Sequence, residues 1–248
     1  MVLRALRGAL GFLSRLPVGH DGDSWEAFRA TPVSMPLAGY VVGAFLLLPI
    51  ALPGPAPTIA FAFVVAVYLV TGINHMDGVI DLGDALVVHG GPDERRAVLK
   101  DTDVGAGGAL AVAIVIAGLL AAGLALAALP LRAALLVVIA EVGAKGGMAL
   151  LVCFGSAPHD GLGASLTGRS GSRSAPLVVA STVPAAILTW PRIEIAGAML
   201  LAAALVALGS LRLARTALGG VNGDVLGATN EIARIVALHV GVIAWTHW

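Results

Sequence analysis

Long apolar stretches alternate with short polar ones along the whole chain. Seven stretches carry almost no charge: Ser34–Leu52, Thr58–Ile73, Gly107–Leu129, Leu131–Phe154, Ala175–Trp190, Ile195–Leu213 and Val225–Thr246. Roughly 20 apolar residues in a helix cross the hydrocarbon core of a bilayer. Ala and Leu dominate and no apolar/polar alternation of period two is present. A membrane barrel would show that alternation, whereas a helix satisfies its own backbone in lipid. The pattern predicts an all-α, polytopic integral membrane helix bundle of about seven transmembrane helices. The second and fifth stretches are short, so six spans, with one stretch re-entrant, stays open. The whole of residues 1–248 reads as a single membrane-embedded domain.

The polar connectors are unequal. With those spans, Arg4, Arg7, Arg15, Arg29, Arg95, Arg96, Lys100, Arg169, Arg173, Arg212 and Arg215 fall on one side. Arg132 and Arg192 fall on the other, and Lys145 and Arg234 lie within spans. Basic residues collect on the cytoplasmic side of short loops, which places the N-terminus and the polar motifs in the cytoplasm. The opposite connectors are small, for example Pro130 and Pro191–Glu194. Met1–Leu13 has a charged start but too short an apolar run and no convincing cleavage site for a signal peptide, and is expected to be an interfacial helix.

Composition sharpens this picture. Charged residues make up 12% of the chain, against about 25% in soluble domains, and mean hydropathy is +0.94. The formal net charge is zero, so no nucleic-acid partner is expected; the lipid bilayer and small molecules are. A homo-oligomer is left open. The one cysteine, Cys153, lies in an apolar run, so no disulfide framework is available.

Candidate chemistry starts where the second apolar stretch ends. Asp77, Asp81 and Asp84 follow Thr71-Gly72-Ile73-Asn74-His75 at spacings of four and three, which put them on one helical face. A solvated helix start is the plainer reading. However, same-face acids beside a span repel one another and resist desolvation. A hard divalent cation relieves both costs, and Mg²⁺ commonly takes one or two carboxylates together with substrate phosphates. Phosphate chemistry at a membrane surface is therefore expected. His75 has an unperturbed pKa suited to a general base, although a continuous helix would put it on the far side from the acids. Asn74 suits a cap or a hydrogen-bonding partner.

Further along, Arg96 and Lys100 share a helical face and suit a diphosphate, while Asp101 or Asp103 could complete a metal shell. A basic flank obeying the charge bias explains them as well. Glu141 and Lys145 in the fourth stretch, and Glu231 and Arg234 in the last, are either functional charges or structural pairs. The loop Ser156–Arg173 is rich in glycine and could wrap a ligand. Gly219-Gly220-Val221-Asn222-Gly223-Asp224 reads as an anion nest or a tight turn.

Together these strings resemble the cobalamin synthase (adenosylcobinamide-GDP ribazoletransferase) family. The resemblance rests on Phe12-Leu13-Ser14-Arg15-Leu16-Pro17, Pro36–Gly39 with Gly43, His75–Asp84, Lys100-Asp101 with Gly105 and Gly108, Gly161–Gly163, and Gly219–Gly227. It runs nearly end to end, and its specific part is the His-x-Asp-Gly-x-x-Asp-x-x-Asp string. Ala85, Lys145 and Asn222 depart from the usual Gly, Arg and Thr, which bears on substrate contacts and not on the carboxylates.

The resemblance implies a Mg²⁺-dependent enzyme in the cell membrane, active on its cytoplasmic face. Such an enzyme joins adenosylcobinamide-GDP to α-ribazole, or to its 5′-phosphate, and releases GMP. In that reading Asp77, Asp81, Asp84 and Asp101 hold the metal. Arg15, Asn74, Arg96, Lys100, Asn222 and Asp224 contact substrate. His75, Asp77 and Asp81 act in catalysis, with His75 or a metal-free aspartate as proton acceptor. Two rivals remain. A CDP-alcohol phosphotransferase-like lipid synthase would need an Asp three residues before Asp77 and an Ala-Arg pair after it, and both are missing. A cation transporter would need acids in mid-membrane and on both faces.

Overall fold

A computed structural model gives the architecture; it describes residues 2–99, 101 and 103–247. Among the described residues the regular structure is helical. The chain runs through α1 (Val2–Leu13), α2 (Gly22–Arg29), α3 (Ser34–Ala51), α4 (Ala56–Thr71), α5 (Asn74–Val87) and α6 (Pro92–Val98). It continues through α7 (Ala106–Ala127), α8 (Leu135–Phe154), α9 (Leu162–Thr167), α10 (Ala175–Thr182), α11 (Ile193–Leu213) and α12 (Gly223–His247).

Five of these segments are long and apolar enough to cross a membrane: α3, α7, α8 with its leading 3₁₀ turn, α11 with its trailing π turn, and α12. The predicted second span is α4, and a bend of 99° separates it from α5. Counting that pair as one broken span gives six. The predicted fifth span is no continuous helix: α10 passes into a 3₁₀ segment over Val183–Thr189. Pro184 sits at the changeover, where its ring and missing N–H interrupt an α-helical ladder.

The break between α4 and α5 has a local cause. Gly72 closes α4 with φ 73°, a backbone region that costs a side-chain-bearing residue energy. The N-terminal segment fastens that corner, since the Arg15 amide donates to the Val70 carbonyl at 2.7 Å.

Packing is centred on α8, which is almost wholly buried, while α7 and α11 present most of their surface outward. Small residues permit this. A methyl group at Gly39 or Gly43 would meet the α8 backbone of Val142 or Val138 within 2.8 Å, and such contacts hold helices together where water supplies no hydrophobic drive. The predicted N-terminal helix is present, and α2 folds back on it. Phe12, Trp25 and Phe28 stack with ring centroids 5.5 to 5.6 Å apart, and Asp21 caps α2 by accepting from the Ser24 amide at 2.8 Å.

The polar connectors meet at one end of the bundle. Arg96 Nη1 donates to the Leu218 carbonyl at 2.9 Å. The Val221 amide donates to the Ser156 carbonyl at 2.8 Å, and Ser170 donates to the Arg29 carbonyl at 3.1 Å. At the other end, Arg132 bonds the Trp190 carbonyl, and the Arg192 guanidinium lies over the Trp245 ring at 4.5 Å.

Candidate active site

The crossing of α5 and α12 builds the site. At Gly78 the two backbones touch: a methyl group there would sit 2.6 Å from the Asp224 carbonyl oxygen. This close approach sets Asp77 and Asp81 of α5 beside Asp224 in the first turn of α12. Asp77 is exposed and Asp81 partly buried. Burial, then the charges of Asp224, Asp77 and Asp84, push the Asp81 carboxyl up from 3.8 to about 6. Among the described residues Asp77, Asp81 and Asp224 form no ion pair, and His159 offsets only part of the burial and repulsion at Asp224. Asn222 prepares the α12 end: its Oδ1 accepts from the Val225 amide at 3.0 Å, and its Nδ2 donates to Asp224 Oδ2 at 2.7 Å. The residue is a helix cap that also aims the carboxylate.

The third aspartate of the α5 face has different work. Asp84 is buried, and its two oxygens accept from the amides of Gly105 and Gly108 at 2.8 and 2.9 Å. The first turn of a helix has amides with no partner within the helix, and Asp84 supplies an acceptor to the start of α7. Asp101 is exposed on the α6–α7 connection, where its Oδ1 accepts from the Asp103 amide at 3.2 Å. Lys100 lies outside the described residues. Arg96 braces α6 against the turn after α11 and pairs with Asp93.

Arg15 and Asn74 share a cavity of about 630 Å³ with Phe12 and His20, between the N-terminal segment and the α4–α5 corner. Both are exposed, and Arg15 forms no ion pair among the described residues. Asn74 precedes Asp77 by three residues, which makes them neighbours on the helix surface.

His75 faces inward, away from the aspartates. It is 7% exposed, its Nδ1 accepts from Asn230 Nδ2 at 3.1 Å, and Glu231 Oε1 lies 3.8 Å away. Behind it lies a polar network inside the bundle. Arg234 pairs with Glu141 and, at 2.5 Å, with Glu231; Lys145 pairs with Glu141 and reaches Asn230 Oδ1 at 3.4 Å. The sequence pairs Glu141 with Lys145 and Glu231 with Arg234, four and three residues apart. Their fusion into one network, with His75 attached, has no sequence signal, because the bridging ion pair joins residues 93 apart.

For a metal, the fit is one of donor chemistry. Asp77, Asp81 and Asp224 offer hard oxygen ligands from two helices. Among the described residues no three His, Cys, Asp or Glu side chains close on one point. Mg²⁺ does not need a protein cage, because it keeps waters and substrate phosphates in its shell.

The chain is similar to known proteins over its full length. The family described as cobalamin-5-phosphate synthase matches residues 5–242. A protein of Halorubrum lacusprofundi named adenosylcobinamide-GDP ribazoletransferase is 52% identical, covering 100% of both chains. The protein of the same name in Haloquadratum walsbyi is 45% identical over 99% of each, and that of Pyrobaculum calidifontis 32% identical over 94% of this chain and 96% of its own. No solved structure matches.

Proposed function

The chain belongs to the cobalamin-5-phosphate synthase family, and from that premise we propose that it joins adenosylcobinamide-GDP to α-ribazole or its 5′-phosphate, releasing GMP. The family places it at the final step of cobalamin synthesis as a transferase, and its apolar helices make it a multi-pass membrane protein. The observation that carries the proposal is the meeting of Asp77, Asp81 and Asp224 at the α5–α12 crossing, in a chain that shares its full length with proteins named for this transfer.

The ribazole 3′-hydroxyl attacks the phosphorus nearest cobinamide, the bond from that phosphorus to the GMP oxygen breaks, and GMP leaves with both electrons. Asp77, Asp81 and Asp224 would hold Mg²⁺. When bound, the ion would neutralise the diphosphate and stabilise the charge gathering on the departing phosphate. A cluster carboxylate oxygen not engaged by metal takes the hydroxyl proton; His75, closed in against Asn230, holds α5 in place instead. Arg15 and Asn74, in their open cavity beside Asp77, contact substrate. Catalysis then rests on positioning and electrostatics.

The polar end faces the cytoplasm of the cell membrane in this reading, in line with the side that carries most basic residues. The mid-bundle charges pair with one another, which favours a transferase over a cation path.

The test is purified protein in liposomes with Mg²⁺, adenosylcobinamide-GDP and α-ribazole, following GMP. Metal-dependent release with equimolar corrinoid product is expected. No turnover with either ribazole form would overturn the assignment.

A further inference from the structure

One stripe of α12 carries Asp224, Gly227, Glu231 and Arg234, at steps of three, four and three residues. Its outer end is a site carboxylate and its inner end is the buried ion-pair network. The facing stripe of α5 carries His75 and Gly78. Gly78 meets the backbone at Asp224, and a methyl group at Gly227 would lie 3.0 Å from the His75 Cα. Asn230 ties the two helices together. Its Nδ2 donates to His75 Nδ1 and to Glu231 Oε1, both at 3.1 Å, while its Oδ1 accepts from Lys145 at 3.4 Å.

Asp77, Asp81 and Asp224 repel one another across this same crossing, so something must hold the helices in contact when no cation is bound. Close packing of small residues brings helices together but carries no hydrogen bond or charge that marks one register. A slide that separates a buried, hydrogen-bonded ion pair leaves an uncompensated buried charge, which is strongly destabilising.

We propose that Asn230, with the ion pairs behind it, is a positioning device for the metal site: it fixes the register of α5 on α12 and thereby holds Asp77 and Asp81 beside Asp224. The inference rests on the Mg²⁺-dependent reading of that site. A cation and the network then do the same work, so their effects are linked. Loosening the network weakens cation binding, and excess cation restores the site.

The test uses the full chain in detergent and reads Mn²⁺ binding by electron paramagnetic resonance, alongside the Mg²⁺ dependence of GMP release. Asn230→Ala removes the tie, and Gly227→Ala pushes the His75 backbone away without replacing any charged side chain. Both are expected to weaken Mn²⁺ binding by roughly 10–100-fold, the range seen when groups behind metal ligands are lost. At saturating Mg²⁺, kcat returns toward the parent value and the substrate KM values stay put. Tyr40→Phe is the control. It deletes a hydrogen bond to the Ser181 carbonyl elsewhere in the bundle, and should leave Mn²⁺ binding unchanged even if it lowers the melting temperature. Parent-like Mn²⁺ binding in both variants, or a loss that the control reproduces, would overturn the proposal. If the parent protein itself binds no Mn²⁺ and needs no Mg²⁺, the metal reading fails first.

Discussion

Two charged clusters are joined by α12, which brings Asp224 to Asp77 and Asp81 of α5 at one level and Asn230, Glu231 and Arg234 to Glu141 and Lys145 of α8 at another, and they are built on opposite rules. In the interior, Glu141, Glu231, Lys145 and Arg234 balance carboxylate against cation, and Asn230 and His75 fill hydrogen-bonding positions between them. At the polar end, Asp77, Asp81 and Asp224 carry one sign only. Where charge is balanced within the chain, it defines how helices sit. Where charge is left over at an accessible surface, the balance is to come from outside, and that is where a ligand is expected.

Breaking the balanced cluster should have the largest effect. Arg234→Met leaves two buried carboxylates competing for one lysine and should cost about 3–5 kcal/mol, read as a drop in unfolding midpoint in detergent. An unchanged midpoint would mean that the interior charges are not the architecture. At the unbalanced cluster the expected loss is in rate. Asp77→Ala, at an exposed position, should reduce GMP release roughly 10²–10³-fold with the melting temperature within a few degrees of the parent. A variant that melts early instead would put Asp77 with the structural group.

Asp84 tests the line between the two. Asp84→Ala strips the acceptor from two amides of α7 and should cost about 1–3 kcal/mol of stability, while Mn²⁺ affinity changes far less than in Asp77→Ala. Equal loss of affinity in the two variants would return Asp84 to the metal. The smallest effect belongs to Asn222→Ala, about 1 kcal/mol for the lost cap, with a further fall in rate because Asp224 loses its hydrogen bond. A change in stability alone would limit Asn222 to capping.

Much of the fold was legible because lipid imposes simple rules. Apolar run lengths located α3, α7, α8, α11 and α12, and the helical period put Asp77 and Asp81 on one side of α5. The 99° corner at Gly72 was less legible, since a glycine and an asparagine in sequence fit a cap, a turn or a continuing helix equally. Spacing also grouped Asp84 with its neighbours, because a helical face tells where a side chain starts and not which partner it finds. Its partners, the amides of Gly105 and Gly108, lie 21 and 24 residues onward.

The sequence by itself determined that the chain is helical with runs long and apolar enough to cross a membrane, that Asp77, Asp81 and Asp84 follow the second of those runs on one helical face, and which family it resembles. The helices and the acidic face follow from composition and local period, which a short window contains; the resemblance rests on specific motifs spaced along nearly the whole chain. Only the tertiary structure decided that Asp224 joins Asp77 and Asp81, that Asp84 serves α7, and that His75 belongs to a buried ion-pair network. Each of those is a pairing between distant segments, and its energy depends on which helices touch, at which register, and with how little water between them.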